Sequence, residues 1–350
     1  MFFKTNLGTY LNYVPIKIRL FAIGKTGVKE PVLYLLPTYP MNLFYKTVQT
    51  VFIGEVGYMN IRTDLALEAT EMAGSCNGVR LSSQTYSNMK VTKIRVLNSE
   101  GAKELGKEPG TYITAEFPSL SNTFRDTDSR LEIIGEYINE LLPGEGTVLV
   151  VGLGNLNITP DALGPKSADK ILATRHITGK IAQETGLDKL RSVAVISPGV
   201  LGQTGVETGE LVLSVVKKIK PRAIIAIDAL ASRRLERLGC TLQIADTGIS
   251  PGAGVGNNRF AINEKTTGVP VIAIGIPTVV DALTLARDII PDFIFENDIK
   301  SEIYPKGQMM VVTPREIDLL IERGAQLISL AVNSALHQNF NLADLISLIG

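Results

Sequence analysis

Several residue types that define common protein classes are scarce in this chain. The 350 residues contain no Trp, two Cys and two His. Cys76 and Cys240 form no CxxC pair, which argues against a disulfide framework and against a thiol-rich metal site. We therefore expect a reducing, cytoplasmic compartment.

An excess of charge of one sign is also absent. Lys and Arg together number 35, and so do Asp and Glu. No overall field therefore attracts a nucleic acid or an anionic membrane surface. No apolar run reaches the roughly 18 uninterrupted residues of a membrane span. We expect a soluble globular protein with no nucleic acid and no membrane as a direct partner.

The first 58 residues differ in composition from the rest of the chain. They contain no Asp but about half of all Phe and Tyr residues. Gly54 to Tyr58 can be encoded as GGN GAG GTG GGN TAY, a purine-rich run that resembles a bacterial ribosome-binding site and directly precedes the ATG of Met59. We therefore predict that translation starts at Met59 and that 1–58 is a mis-assigned upstream extension or an unusual leader.

From Gly146 onward, short apolar runs alternate with helical patterns. The runs are rich in β-branched residues and scarcely alternate with polar ones: TVLVVGLG (147–154), SVAVIS (192–197), RAIIAID (222–228) and VPVIAIG (269–275). Strands of this kind are buried on both faces. The sequence therefore predicts an α/β fold, with a mostly parallel sheet covered by helices on both faces.

Other segments have the periodicity of helices or of half-buried strands. Helices are predicted at 65–72, 129–142, 167–186, 208–220 and 311–337, and strands at 89–97 and 111–117. Thr313, Pro314 and Glu316 have the residue types that begin a helix, so Thr313 is the expected cap of the last one.

Lone carboxylates follow two of the apolar runs. Asp161 lies in GLGNLNITPDALGP, and Asp228 ends AIIAID. Ligands of open parallel sheets bind outside the carboxyl ends of the strands, so both aspartates are expected to face one crevice, with Asp246 and Asp281 as further candidates. Two close carboxylates can share a proton or hold a metal, and either arrangement activates water. The alternative is that each aspartate caps a following helix; for Asp228 that helix would be 229–238.

Two other kinds of site have weaker patterns. GLGN lacks the third glycine of a dinucleotide loop, and no GxxxxGK[ST] occurs. A nucleotide- or phosphate-binding protein that uses this loop and GAGVGN (252–257) is therefore the alternative function. His176 lies in a predicted helix without HExxH spacing, which makes it a third metal-ligand candidate at most.

Longer stretches resemble one known family. The following match its motifs in order: GLGNLNITPDALGP, SPGVLGQTGVET, AIDALASR, IADTGISPGAGVGN and GVPVIAIGIPTVVDA. They are similar to the germination protease family of spore-forming bacteria, and the resemblance runs from Met59 to His337. It implies an endopeptidase of the forespore and spore core that degrades small acid-soluble spore proteins at germination.

The resemblance also implies how the protein is processed and assembled. Members are homotetramers that are made as zymogens, remove their own N-terminal segment and share a core with hydrogenase-maturation peptidases. Cleavage corresponds here to the Asp64–Leu65 bond. The implied organisation is a propeptide at 59–64, a single α/β peptidase domain at 65–337 and a C-terminal tail at 338–350.

The proposed catalytic carboxylates of the family correspond to Asp161 and Asp228. We favour a pair that shares one proton and requires no cofactor, because the usual His and Cys ligands of zinc are too few. A divalent metal held by both aspartates, with His176 as a third ligand, is the alternative. Asn155, next to Gly154 in the same motif, is a further accessory candidate.

N-terminal mass spectrometry of the protein isolated from its source cells tests the start site. We expect the first peptide to begin at Met59 or, after processing, at Leu65. A peptide from within 1–58 would contradict the predicted start.

Overall fold

A mixed nine-stranded sheet forms the centre of the unit Ile61–Gly350. The computed structural model describes residues 63–74, 76–120, 129–250, 260–289 and 310–349. The predicted extension at 1–58, most of the predicted propeptide and the stretch GAGVGN lie outside these residues.

The strands follow the chain as β1 Val79–Tyr86, β2 Met89–Val96, β3 Gly110–Glu116, β4 Val148–Gly152, β5 Val193–Ile196, β6 Ala223–Ser232, β7 Thr241–Ala245, β8 Val271–Asp281 and β9 Val311–Val312. Their spatial order is β1-β2-β3-β7-β8-β6-β4-β5, and β9 pairs with β8. Pairing is parallel between β8, β6, β4 and β5 and antiparallel elsewhere. The predicted α/β class is confirmed. The sheet is mixed, and its parallel part consists of the four strands built from the predicted apolar runs.

The helices are α1 Ala66–Ala73, α2 Ser99–Leu105, α3 Arg130–Leu141, α4 Leu163–Asp169, α5 Lys180–Thr185, α6 Leu201–Thr204, α7 Thr208–Ile219, α8 Glu264–Thr267, α9 Ala282–Ile289, α10 Ile317–Leu336 and α11 Leu342–Ile349. Short 3-10 turns occur at Thr159–Asp161, Leu187–Lys189 and Leu235–Arg237.

Alternation along the strands divides the core between the two faces of the sheet. Val148 and Val150 of β4 pack with α3 and α10 on what we call the first face. Leu149 and Val151 point the other way and pack with Val212 of α7 on the second face. Farther along the second face, α1 and α2 cover β2, β3 and β7. Helices therefore cover both faces, as predicted.

Two predicted elements are corrected by the structure. The segment 229–238, interpreted as a helix, continues β6 to Ser232 and then forms the turn Leu235–Arg237. The predicted helix at 167–186 is interrupted, because α4 ends at Asp169 and α5 begins only at Lys180. His176 lies in the exposed turn between them.

The start of the last helix also differs from the prediction. α10 begins at Ile317, and Thr313 does not cap it: its hydroxyl donates to the Thr278 carbonyl at 3.0 Å. Residues 311–312 form β9 instead. The segment predicted as a tail contains α11, whose Leu345 is fully buried.

His337 follows α10 and is 1% exposed, and neither ring nitrogen has a hydrogen-bond partner of good geometry among the described residues. Burial lowers its pKa to about 4; the charge of Arg191 acts in the same direction, and a backbone contact with Leu172 opposes the shift. Because the folded pKa lies below that of the unfolded chain, the unfolded state binds more protons as the pH falls from 6.5 towards 4. His337 therefore makes folding less stable over that range.

We expect His337→Leu to flatten the acid side of the stability curve. Between pH 7 and pH 5, the wild type should lose about 2 kcal/mol more unfolding free energy than the variant, as measured by urea titration. His176→Gln is the matched control, because this ring is exposed, and its curve should follow the wild type. Equal pH dependence of His337→Leu and wild type would contradict the assignment.

Candidate active site

A cavity of about 590 Å³ opens on the second face of the sheet. Its floor includes Ala273 and Gly275 of β8. Asp161 and Asp228 both line it, so two aspartates from separate elements meet in one cavity. Asp64, which lies just before the start of α1, also lines this cavity.

A tight loop positions Asp161. After β4 the chain turns at Gly154, whose φ of +116° favours glycine. A Cβ on Gly154 would lie 2.1 Å from the Asp161 carbonyl oxygen, so a larger residue does not fit. The Asn155 N–H then donates to Asp161 Oδ2 at 2.8 Å and to its carbonyl oxygen at 3.1 Å. The Asp161 carboxylate is therefore held by the loop before it, and no side chain caps α4.

Asn155 also connects this loop to the next one. Its Oδ1 accepts from Asn157 N–H at 3.0 Å and from Gln203 Nε2 at 2.6 Å. Asn155 lines the cavity as well. Its predicted accessory position is therefore next to Asp161, where it fixes the carboxylate through the backbone.

Asp228 lies within β6, not at its end. It is 8% exposed, and its Oδ1 accepts the N–H of Ala229 at 2.9 Å. β4 ends at Gly152, which pairs with Ile227, and the Leu153 N–H donates to the Ile227 carbonyl at 2.8 Å. β6 continues beyond β4, so Asp228 lies where its neighbour strand has ended. A helix-capping role for Asp228 is excluded, because a strand follows it.

The strand register places three residues in one row on the second face. Asp228 pairs with Gly275, and Gly275 pairs with Gln243 of β7. Strands are about 4.8 Å apart, so the backbones of Asp228 and Gln243 are roughly 10 Å apart with Gly275 between them. A Cβ on Gly275 would lie 2.5 Å from the Asp228 carbonyl oxygen. The same Cβ would lie 2.6 Å from Leu230 Cγ, so only glycine fits here, and the Leu230 side chain packs over it.

Both the backbone and the carboxylate of Asp64 form hydrogen bonds with neighbouring residues. Its N–H donates to the Ala231 carbonyl at 2.9 Å, and its Oδ2 accepts the Ala231 N–H at 2.7 Å. Its carbonyl oxygen accepts from Lys107 Nζ and from Gln243 Nε2, each at 3.0 Å. Burial lowers the pKa of Lys107, and the Asp64 and Glu68 carboxylates oppose that shift. Leu65, the next residue, is completely buried.

Glu68 anchors the start of α1 to the end of β6. It is 1% exposed and accepts the N–H groups of Arg233 at 2.7 Å and Arg234 at 3.1 Å. Arg237 Nε lies 3.3 Å from the same carboxylate. A buried carboxylate needs such partners, because an uncompensated buried charge costs several kcal/mol. The residues after the Asp64–Leu65 bond are therefore fixed independently of Asp64.

Three other predicted site residues lie away from the cavity lining. Asp246 is exposed and accepts the Thr111 N–H at 2.7 Å. Asp281 accepts the N–H of Thr284 at 2.9 Å, which is a cap of α9. His176 is in the exposed turn described above. The capping role considered for Asp161 and Asp228 thus belongs to Asp281.

The donor set gives no support for a metal centre. Among the described residues, no three His, Cys, Asp or Glu side chains come close enough to hold a metal ion. His176, the predicted third ligand, does not line the cavity. A site with three protein ligands therefore does not fit this part of the chain.

The glycines of the GLG motif are explained by close packing. A Cβ on Gly152 would lie 2.4 Å from the carbonyl oxygen of Gly164, and one on Gly164 would lie 2.1 Å from that of Leu153. Together with Gly154, these glycines let α4 and the Asp161 turn approach β4. This packing accounts for the glycines without a phosphate-binding role.

Lys107 and Gln243 were not identified from the sequence. Lys107 follows α2 in a polar loop, where a lysine does not by itself indicate a functional site. Gln243 is more informative, because it is the one polar residue other than threonine in the apolar strand TLQIA. A polar side chain on a buried strand needs partners, and here they are the two ends of the Asp64–Ala66 segment.

The described helices include none with the length and hydropathy of a membrane span. Residues 58–301 match the family model described as germination protease. A solved structure with a limited likeness is the [NiFe] hydrogenase maturation protease HycI from Thermococcus kodakarensis KOD1, with a TM-score of 0.32 and 15% identity over 56% of this chain and 98% of that one.

Curated relatives match over most of both chains. The germination protease of Caldanaerobacter subterraneus is 46% identical in an alignment of 307 positions that covers 79% of this chain and 94% of that protein. That of Clostridium perfringens is 43% identical over 319 residues, with 82% and 98% covered. That of Priestia megaterium is 36% identical in an alignment of 357 positions, gaps included, with 81% and 95% covered. The chain therefore belongs to the germination protease family and is a protease.

Proposed function

We propose that this protein is a self-processing spore endopeptidase that degrades small acid-soluble spore proteins at germination, and that Asp161 and Asp228 activate the attacking water. The observation that carries the proposal is the meeting of these two carboxylates in one cavity on the sheet. Family membership supports the germination role.

The chemistry follows from two carboxylates with different supports. A proton shared between them lets one accept a proton from water while the other donates one to the leaving amine. Asp161 is held by the Asn155 N–H in a rigid loop, and Asp228 is held by the β6 ladder. Both groups therefore begin in a fixed position, which avoids reorganisation during the reaction.

The cavity rim suits an unfolded polypeptide substrate. Leu156 is 59% exposed and Ile158 is 52% exposed, both in the loop before Asp161. Leu201, next to the cavity residue Val200, is 39% exposed. Contiguous apolar surface marks sites that bind a partner, and these side chains lie in or beside the loops that line the cavity. An extended segment of a spore protein can place its apolar side chains here while its backbone enters the cavity.

Processing, assembly and location complete the proposal. The bond cut during self-processing is Asp64–Leu65, and Asp64 already lines the cavity. The proposed active form is a homotetramer in the forespore and spore core, as the resemblance to the germination protease family implies. No cofactor takes part in the favoured mechanism.

We expect Asp161→Asn and Asp228→Asn each to lower the rate of spore-protein cleavage by about 100- to 10,000-fold, the range of general acid–base catalysis. Asparagine keeps an oxygen for the Asn155 or Ala229 N–H, so the melting temperature should change little. Asp246→Asn, at an exposed aspartate outside the cavity lining, is the matched control. The measurement is gel and mass analysis of a purified small acid-soluble spore protein over time.

Near-wild-type cleavage by either cavity variant would refute the catalytic pair. A parallel reaction with a chelator tests the alternative mechanism: loss of wild-type cleavage that returns on adding a divalent metal would favour a metal held by the two aspartates.

A further inference from the structure

The carbonyl oxygen of Asp64 accepts hydrogen bonds from two side-chain donors. Lys107 Nζ and Gln243 Nε2 each lie 3.0 Å from this atom. One donor carries a charge when protonated, and the other is an amide from the sheet. Two convergent donors at one carbonyl oxygen are the arrangement that stabilises an oxyanion in acyl transfer.

Both donors are fixed before any reaction. Gln243 is 7% exposed, and its Oε1 accepts the Ala66 N–H at 2.7 Å, so its amide is oriented with Nε2 towards Asp64. Lys107 Nζ also donates to the Thr63 carbonyl at 3.0 Å. Donors that are already in place need no reorganisation when negative charge develops.

The donors and the aspartates belong to one cavity. Gln243, Gly275 and Asp228 form the row across β7, β8 and β6 described above, and the Leu230 side chain packs over the glycine at its centre. The same cavity is lined by Lys107 and Asp161. The carbonyl that the donors hold is therefore on the same sheet face as Asp228, and Asp64 and Asp228 line the same cavity.

We propose that Lys107 and Gln243 are catalytic residues of self-processing that bind the carbonyl oxygen of the Asp64–Leu65 bond and stabilise its developing negative charge. This inference rests on the proposed function, because it requires that bond to be the one that is cut. The four residues then divide the work: Asp161 and Asp228 act on water, and Lys107 and Gln243 act on the carbonyl.

The step balances as a hydrolysis. The oxygen of water bonds to the Asp64 carbonyl carbon, and one water proton passes to the carboxylate pair. The carbonyl oxygen takes the negative charge between Lys107 and Gln243. Collapse of this intermediate breaks the bond to the Leu65 nitrogen, which receives a proton from the pair. The products are a carboxyl group at Asp64 and an amine at Leu65.

An anchoring role for the same contacts predicts the opposite result. If Lys107 and Gln243 only held the segment before Leu65, removing them would free the segment, and cleavage would be unchanged or faster. If they stabilise the transition state, removing one donor slows cleavage. The direction of the rate change therefore separates the two roles.

Gln243→Glu is the sharpest variant in the full chain. Glutamate has nearly the same shape and can still accept the Ala66 N–H, but it replaces the Nε2 donor by an oxygen. Lys107→Met removes the other donor with a side chain of similar length, and Lys107→Arg restores a cationic donor. Lys166→Met is the control for a lost charge, because Lys166 Nζ pairs with Glu322 at 3.2 Å on the surface.

We expect Gln243→Glu and Lys107→Met each to slow self-processing by about 100- to 1,000-fold, the effect of deleting one oxyanion donor. Lys107→Arg should recover part of the rate, and Lys166→Met should match the wild type. The measurement is the intact mass over time, with the new N-terminus read at Leu65. Melting curves and near-ultraviolet circular dichroism of the uncleaved chains check that each variant is folded.

Wild-type or faster processing in folded Gln243→Glu and Lys107→Met would overturn the inference. If Lys107→Met does not fold, Gln243→Glu and Lys107→Arg still decide it: normal processing of Gln243→Glu refutes the donor role.

The wild type and Asp161→Asn are run beside them. A wild type that neither processes itself nor cleaves a spore protein refutes the proposed function; a wild type that does both, with unaffected donor variants, refutes only this inference.

Discussion

The candidate site depends on the different lengths of adjacent parallel strands. β4 stops at Gly152, whereas its neighbour β6 continues to Ser232. The last bond between them, from Leu153 N–H to the Ile227 carbonyl, fixes the level at which β4 leaves the sheet. Asp228 is the next residue of β6, and the loop that leaves β4 returns with Asp161. The ladder that stabilises the core thus also brings the two carboxylates to one place.

Close backbone approach is the second requirement of this arrangement. The loop after β4 must turn within a few residues, and α4 must pack directly on β4 and β6. A Cβ on Gly164 would lie 2.1 Å and 2.4 Å from the carbonyl oxygens of Leu153 and Ile227. Packed interiors have no spare volume for an added methyl group, so alanine at this position would move α4 away from the sheet. Asp161 would move with α4, so the packing of one helix controls the position of a candidate catalytic group.

The sequence predicted the parts of this fold in which local and tertiary preferences agree. The β-branched runs of β4, β5 and the first half of β6 read directly as buried strands, and the motif around Asp161 pointed to the site. The second half of β6 could not be recognised as a strand. Its residues, ALAS, are small and favour a helix, but pairing with β8 keeps the segment in a strand. β1 is exposed on both faces, so it has no apolar alternation to detect. The role of Lys107 could not be predicted, because it depends on a hydrogen bond to the Asp64 carbonyl, which is distant in the sequence.

If the Asp64–Leu65 bond is the one that is cut, the contacts around Asp64 allow the cut to change the site without loosening the fold. The residues after the bond are held by Glu68, which accepts the backbone N–H groups of Arg233 and Arg234 without involving Asp64. Asp64 itself lies in the cavity, held by Ala231, Lys107 and Gln243. If the Asp64–Leu65 bond is cut, only the segment that ends at Asp64 loses its covalent tether. Its departure would leave the donors of Lys107 and Gln243 facing an open cavity, where the carbonyl of a protein substrate can take the place of Asp64.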